Sequence, residues 1–210
     1  MTIRVLLAED HQLVRDGLRA ILQREGMETV GDVADGLAAV EAAAEVKPDI
    51  AILDYNMPGL NGIDSARRIM DVSERTVCIL LTMYTETQYV LGALRAGILG
   101  YVVKTQAATD LLQAIQVVRG GEVYLSPGIS RTVVDAYLQK TDLPGEQLTV
   151  RERMVLQLVA EGQSTKEVAA TLGISVKTAE SHRTKIMNKL EIHEVASLVR
   201  YAIRIGLIRP

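Results

Sequence analysis

Five short apolar runs, each followed by a segment of helical period, dominate residues 1–120. The runs are "IRVLLA" (3–8), "METVGDV" (27–33), "DIAIL" (49–53), "TVCILLT" (76–82) and "GYVVK" (100–104). Between and after them, apolar residues recur at helical spacing. Val14, Leu18, Ile21 and Leu22 line 12–24, and Leu37, Val40 and Ala44 line 36–46. Ile63, Ala66, Ile69 and Met70 follow, then Val90, Leu91 and Leu94 in 86–96, and Leu111, Leu112, Ile115 and Val118 in 107–119. Gly26 and Gly97 stand where helices can end. Repeated β-α units require crossovers, so the strands lie parallel with helices on both faces. Near-continuous apolar strands fit a sheet covered on both sides. Five units predict a flavodoxin-like α/β fold with strand order 2-1-3-4-5.

The pattern changes after residue 120. Residues 121–147 read as a linker: "GGEVYLSPG" interrupts the alternation, a helix is expected at 129–140, and "TDLPGEQ" is a loop. From 148 to 210 every signal is helical, which predicts a small all-α domain. Thr149 with Glu152, and Ser164 with Glu167, have the spacing of capping boxes, so helices should start near 150 and 165. "LGIS" (172–175) is a tight turn before helices at 176–190 and 193–205. Charge divides in the same place. Residues 1–120 carry 11 basic and 16 acidic side chains, net −5, whereas 148–210 carry 10 and 6, net +4. An acidic front and a basic back suggest different partners, with nucleic acid the natural one for the back. No apolar run approaches the roughly 20 residues that span a bilayer, so no membrane partner is expected. The lone Cys78 sits within "VCILL" and reads as a core thiol, in keeping with a reducing cytoplasm.

In an open parallel sheet, ligands bind at the carboxyl ends of the strands, where the strand order reverses. Glu9 and Asp10 follow the first strand, Asp54 the third, Thr82 ends the fourth and Lys104 the fifth. In the expected order these side chains converge. Three carboxylates in one crevice repel one another, and a hard divalent cation such as Mg2+ relieves that repulsion. A lysine and a hydroxyl beside them suit a phosphoryl group. The chemistry implied is phosphoryl transfer onto a carboxylate, with Asp54 as the nucleophile.

With these residues in hand, the first 120 positions resemble the receiver domain of two-component response regulators. The resemblance rests on Glu9-Asp10, "LDYNMPGLNG" around Asp54, "LLT" at Thr82 and "GYVVK" at Lys104. It implies that Asp54 accepts a phosphoryl group from a sensor histidine kinase. It also implies that Glu9, Asp10, Asp54 and the backbone carbonyl of Asn56 hold Mg2+, that Thr82 and Lys104 bind the phosphoryl oxygens, and that Tyr101 packs inward. Met83, after Thr82, is bulkier than the residue often found there, which implies restricted access of water. A phosphatase of the haloacid dehalogenase type also uses a strand-end aspartate, but on the first strand and with a second Asp two residues on; here that position is Asn56. Such a chain is no enzyme in the ordinary sense, because it catalyses only its own phosphoryl transfer and dephosphorylation.

Residues 148–210 spell helix, helix, turn, helix. On 176–190, Ala179, Ile186 and Leu190 share one face, opposite Lys177, Ser181, Thr184, Lys185 and Asn188. Residues 175–190 carry 4 basic side chains against 1 acidic, net +3, which suits a recognition helix in a major groove. "LTVRE", "LVAEG", "KEVAATLGIS" and "KTAESHRTKIMNKL" resemble the LuxR-type helix-turn-helix of the NarL/FixJ branch. The resemblance implies base contacts from Glu180, Ser181 and Thr184, and phosphate contacts from Lys177, Thr178, His182 and Lys185. It further implies double-stranded DNA carrying an inverted repeat, and a homodimer when phosphorylated. The whole chain then reads as a cytoplasmic, phosphorylation-controlled transcription regulator.

Overall fold

A computed structural model describes residues 2–131, 133 and 148–208. The chain divides into two compact units, Met1–Thr141 and Asp142–Pro210.

The first unit alternates strand and helix: β1 (Arg4–Ala8), α1 (Gln12–Arg24), β2 (Glu28–Val33), α2 (Gly36–Val46), β3 (Ile50–Asp54), α3 (Gly62–Val72), β4 (Val77–Thr82), α4 (Thr87–Arg95), β5 (Gly100–Val103) and α5 (Ala107–Arg119). The sheet is parallel with order β2-β1-β3-β4-β5-β6. The first five strands stand in the order the sequence predicts. The sixth, β6 (Tyr124–Leu125), was not expected, because "GGEVYLSPG" lies in the stretch read as linker. Two residues give no readable period, yet Tyr124 and Leu125 pair with Gly100 and Tyr101. Ser126 fixes the join: its Oγ accepts from the Val103 N–H (3.0 Å) and donates to Asp110 Oδ2 (2.5 Å). Of the helix expected at 129–140, residues 129–131 and 133 are helical and the others lie outside the described residues.

Strand alternation sorts the core into two layers. Leu6, Ala8, Ala51, Leu53, Cys78, Leu80, Tyr101 and Val103 pack against α2, α3 and α4. Val5, Leu7, Ile50, Ile52, Ile79, Leu81 and Val102 pack against α1 and α5. Cys78 is buried, as its neighbours imply, and burial pushes its thiol pKa up to about 12. β2 and β6 are the edge strands, and the residues of β2 are only partly covered.

Each strand end is fixed by the turn that follows. The Glu9 N–H donates to the Val33 carbonyl, extending β1 one residue beyond the ladder. Beyond Asp54, the Tyr55 N–H donates to Leu81 O and the Gly62 N–H returns to Tyr55 O. Gly59 turns the loop with φ +72°, and the Asn61 side chain caps α3 by accepting from the Asp64 N–H. Gly62 has no room for a side chain: a Cβ would lie 2.3 Å from the Asp54 carbonyl oxygen and 2.7 Å from Leu80 Cδ1. The "PGLNG" turn therefore holds the backbone of Asp54 against α3.

The second unit contains α6 (Val150–Ala160), α7 (Thr165–Thr171), α8 (Val176–Leu190) and α9 (Val195–Arg204) around Leu156, Leu158, Val168, Ala179, Ile186, Leu198 and Ala202. Both capping boxes form. Glu152 of the first box also accepts from Lys189 Nζ (2.7 Å), which ties the end of α8 to the start of α6. Burial raises the Glu152 pKa, but the bonds from Lys189 and Thr149 outweigh it and hold the carboxyl below its ordinary value. Among the described residues no helix is long and apolar enough to cross a membrane.

Two glycine substitutions should separate space from conformational freedom. Gly62→Ala forces a methyl onto the Asp54 carbonyl and should cost about 1–3 kcal/mol. Gly17 lies on α1 with nothing within 4 Å of its virtual Cβ. Gly17→Ala should stabilise by about 0.5–1 kcal/mol, because glycine weakens a helix interior. Urea denaturation checks both signs.

Candidate functional site

Register brings the acidic residues together. Ala8 faces Leu53 across β1 and β3, so the next residues, Glu9 and Asp54, leave the sheet side by side. Glu9 and Asp54 are 0% and 2% exposed. Two buried carboxylates this close need a counter-charge. Lys104, just past β5, supplies it: Nζ lies 2.7 Å from Glu9 Oε2 and 2.9 Å from Asp54 Oδ1. Burial, and then the Asp54 charge, raise the Glu9 pKa; Lys104 and the His11 N–H act in the opposite direction.

Asp10 lies at the mouth of the site. One ligand atom each from Glu9, Asp10, His11 and Asp54 fall within 4.8 Å of one another. His11 Nδ1 is 2.7 Å from Asp10 Oδ1 and 3.3 Å from Glu9 Oε1, and the His11 N–H donates to the same Glu9 oxygen (3.2 Å). Arg15 braces this turn from α1, donating to the Glu9 carbonyl and pairing with Asp32. A carboxylate-rich set that includes two buried members is the donor chemistry a hard divalent cation takes.

Thr82, one residue past the Leu81 that pairs with Asp54, is buried, and its Oγ1 accepts from the Tyr84 N–H (3.1 Å). Met83 is 61% exposed, so its bulk meets solvent. Tyr101 points inward at 1% exposure, and its hydroxyl donates to the Tyr84 carbonyl (2.9 Å). Burial raises its phenol pKa strongly. Asn56 donates from Nδ2 to the Tyr84 hydroxyl (3.2 Å), which ties the turn after β3 to the turn after β4. Tyr55 meets Tyr84 and Tyr89 edge-to-face, and Tyr84 and Tyr89 lie tilted at 33°, with centroids 4.5–5.4 Å apart.

In the second unit Lys177, Thr178, Glu180, Ser181, Thr184, Lys185 and Asn188 are exposed on α8. Lys177, Glu180, Ser181, Thr184, Lys185 and Asn188 recur at steps of three and four, so they form one stripe. His182 and Arg183 are half-buried, and His182 Nδ1 is buried with no hydrogen-bond partner. Some of the stripe is also structural. Ser175 caps α8 by accepting from the Thr178 N–H, and its Oγ lies 2.8 Å from Thr178 Oγ1. Thr184 Oγ1 donates to the Glu180 main-chain carbonyl rather than meeting its carboxylate.

Sequence reasoning missed Arg15, Tyr84 and the tyrosine cluster. Arg15 carries no motif of its own. Tyr84 had one available signal: the chain has seven tyrosines and no Phe or Trp, and four of them gather here.

Comparison with known proteins follows the same division. The response regulator receiver domain model matches residues 5–116, and the model for bacterial regulatory proteins of the luxR family matches 146–202. The transcriptional regulatory protein MctR of Rhizobium johnstonii is 35% identical over 98% of this chain and 95% of its own length. Among solved structures, RcsB of Salmonella enterica serovar Typhimurium, bound to promoter P1flhDC with the phosphomimetic BeF3-, superposes with TM-score 0.65 at 27% identity, covering 99% of this chain and 100% of RcsB. A structure of two RcsB dimers bound to two parallel DNAs gives TM-score 0.59 at 29% identity, covering 96% and 98%.

The buried charges make the site's stability pH-dependent. Lys104→Met leaves Glu9 and Asp54 without their cation and should cost about 3–5 kcal/mol at neutral pH. Glu9 has a folded pKa above its unfolded value near 4.5, so folding retains its proton. The penalty of the charged form is absent below that value and grows as pH rises through the folded pKa. The deficit of the variant should therefore shrink on acidification towards the unfolded pKa, as urea denaturation across that range would reveal.

Proposed function

The chain belongs to the two-component response regulators with a LuxR-type DNA-binding domain, which regulate transcription, and from that membership we propose that Asp54 is its phosphoacceptor. The observation that carries this reading is the convergence of Glu9, Asp10, Asp54 and Lys104 at one end of the parallel sheet. A carboxylate oxygen of Asp54 attacks the phosphorus of a phosphohistidine on a sensor histidine kinase. The P–N bond breaks, the electron pair leaves with the imidazole, and an acyl phosphate forms on Asp54. Glu9, Asp10, Asp54 and the carbonyl of Asn56 are the residues to hold Mg2+. Bound by these residues, Mg2+ would supply the positive charge that offsets the charge of the transferring group. Lys104 moves from the Glu9–Asp54 bridge to the new phosphoryl oxygens, and the Thr82 hydroxyl hydrogen-bonds them. The phosphoryl group shifts the receiver between states only to the extent that it binds one better.

The same reading assigns α8 to the major groove of double-stranded DNA. Glu180, Ser181 and Thr184 face the bases. Lys177, Thr178, His182 and Lys185 face phosphates, with Asn188 further along the stripe. A phosphorylated homodimer presents two such helices about one DNA turn apart, roughly 34 Å, to an inverted repeat. Such a regulator works in the cytoplasm.

Acetyl phosphate with Mg2+ tests the phosphoacceptor. Wild type should gain one acid-labile phosphate, and Asp54→Ala should gain none by intact-mass spectrometry; an undiminished adduct in the variant sinks the assignment. On DNA, Lys185→Ala should weaken binding to all sequences alike and flatten the slope of log K against log salt by about 1. Ser181→Ala should instead change discrimination at a single base pair, by about 1–3 kcal/mol. Fluorescence anisotropy at several salt concentrations distinguishes the two.

A further inference from the structure

We propose that His11 is a direct nitrogen ligand in the acidic site, giving it a preference for imidazole-seeking divalent ions such as Co2+, Ni2+ and Zn2+ over Mg2+. The inference rests on the reading of Glu9, Asp10 and Asp54 as a cation site. It adds a fourth donor of different chemistry from the same turn.

Three features support it. Nδ1 of His11 is already inside the cluster, 2.7 Å from one carboxylate and 3.3 Å from another. Its main chain is locked there, because the His11 N–H donates to Glu9 Oε1 and α1 begins at the next residue. The ring is 52% exposed, so an ion can reach it from solvent. In the arrangement described, Nδ1 carries the proton and donates to Asp10 Oδ1. Ligation uses the Nδ1 lone pair, so the ring proton sits on Nε2 when an ion is bound. Asp10 then loses a hydrogen-bond donor and gains the cation. Oxygen-only sites suit Mg2+, whereas imidazole raises affinity for the later first-row ions. Arg15, Lys104 and Asp32 are the other charged groups around this turn, and none supplies a neutral nitrogen.

The test uses the full chain and metal ions alone. Co2+ should bind wild type with strongly shifted imidazole protons in its proton NMR spectrum. His11→Asn should lose those signals and bind Co2+ roughly tenfold or more weakly, a larger loss than for Mg2+, so that the ratio of Co2+ to Mg2+ affinity falls. The chain's other histidines, His182 and His193, remain in that variant and control for stray binding. Bound Co2+ without shifted imidazole protons, or a Co2+ to Mg2+ preference that survives His11→Asn, overturns the assignment. Asp10→Asn separates the two levels. Loss of binding of both ions there upholds the acidic site itself; if both ions bind Asp10→Asn as tightly as wild type, the acidic-site reading fails and the His11 ligand with it.

Discussion

Lys104 bridging Glu9 and Asp54 is the contact on which the first unit depends. A parallel sheet covered on both faces has no ready place for two carboxylates, yet both are buried at the carboxyl ends of β1 and β3. Without a cation they would repel, draw in protons or open the strand ends. Lysine resolves this from a third strand. Its chain reaches from the end of β5 to the ends of β1 and β3, so the ammonium joins β5 to two strands with which it shares no ladder. The arrangement is stable and also poised. A flexible, strongly hydrated ammonium can leave two carboxylates for a stronger anion.

That logic was readable in the sequence because it depends on period and punctuation. Apolar runs that stop at Glu9, Asp54, Thr82 and Lys104 fix which residues end strands, and crossover rules fix which strands are neighbours. The helices 12–24, 36–46, 107–119 and 176–190 follow from spacing alone. What escaped was structure made by contacts with no local pattern. β6 is two residues long and exists because Ser126 bonds both β5 and Asp110. The Arg15 clamp joins α1 to a main-chain carbonyl, and neither end is marked by residue type.

The second unit was legible for a different reason. Capping boxes at Thr149 and Ser164 announce helix starts through side chains that the backbone needs. A seven-residue α7 is too short to be stable alone, so its cap and its packing on α8 decide whether it forms. Less legible was the division of labour on α8. Thr178 and Thr184 look equivalent to Ser181 on a helical wheel. Their hydroxyls are held by Ser175 and by the Glu180 carbonyl, so they meet a ligand with less rotational freedom.

Tyr84 brings the remaining site residues into one argument. Its N–H donates to Thr82, its carbonyl accepts from Tyr101 and its hydroxyl accepts from Asn56. Three residues, one ending β4, one inside β5 and one just past β3, therefore share one partner. If Thr82 turns its hydroxyl towards a new anion, the Tyr84 N–H must follow or lose its acceptor. If Tyr84 follows, the buried phenol of Tyr101 must move with it or stand unpaired, at a cost of about 1–3 kcal/mol for a buried polar group. Tyr84 also packs edge-to-face on Tyr55 and at a tilt on Tyr89, so displacement disturbs the core behind the site as well as its surface. A loop with so many shared contacts favours a few discrete positions over gradual adjustment, which is the property a two-state switch requires.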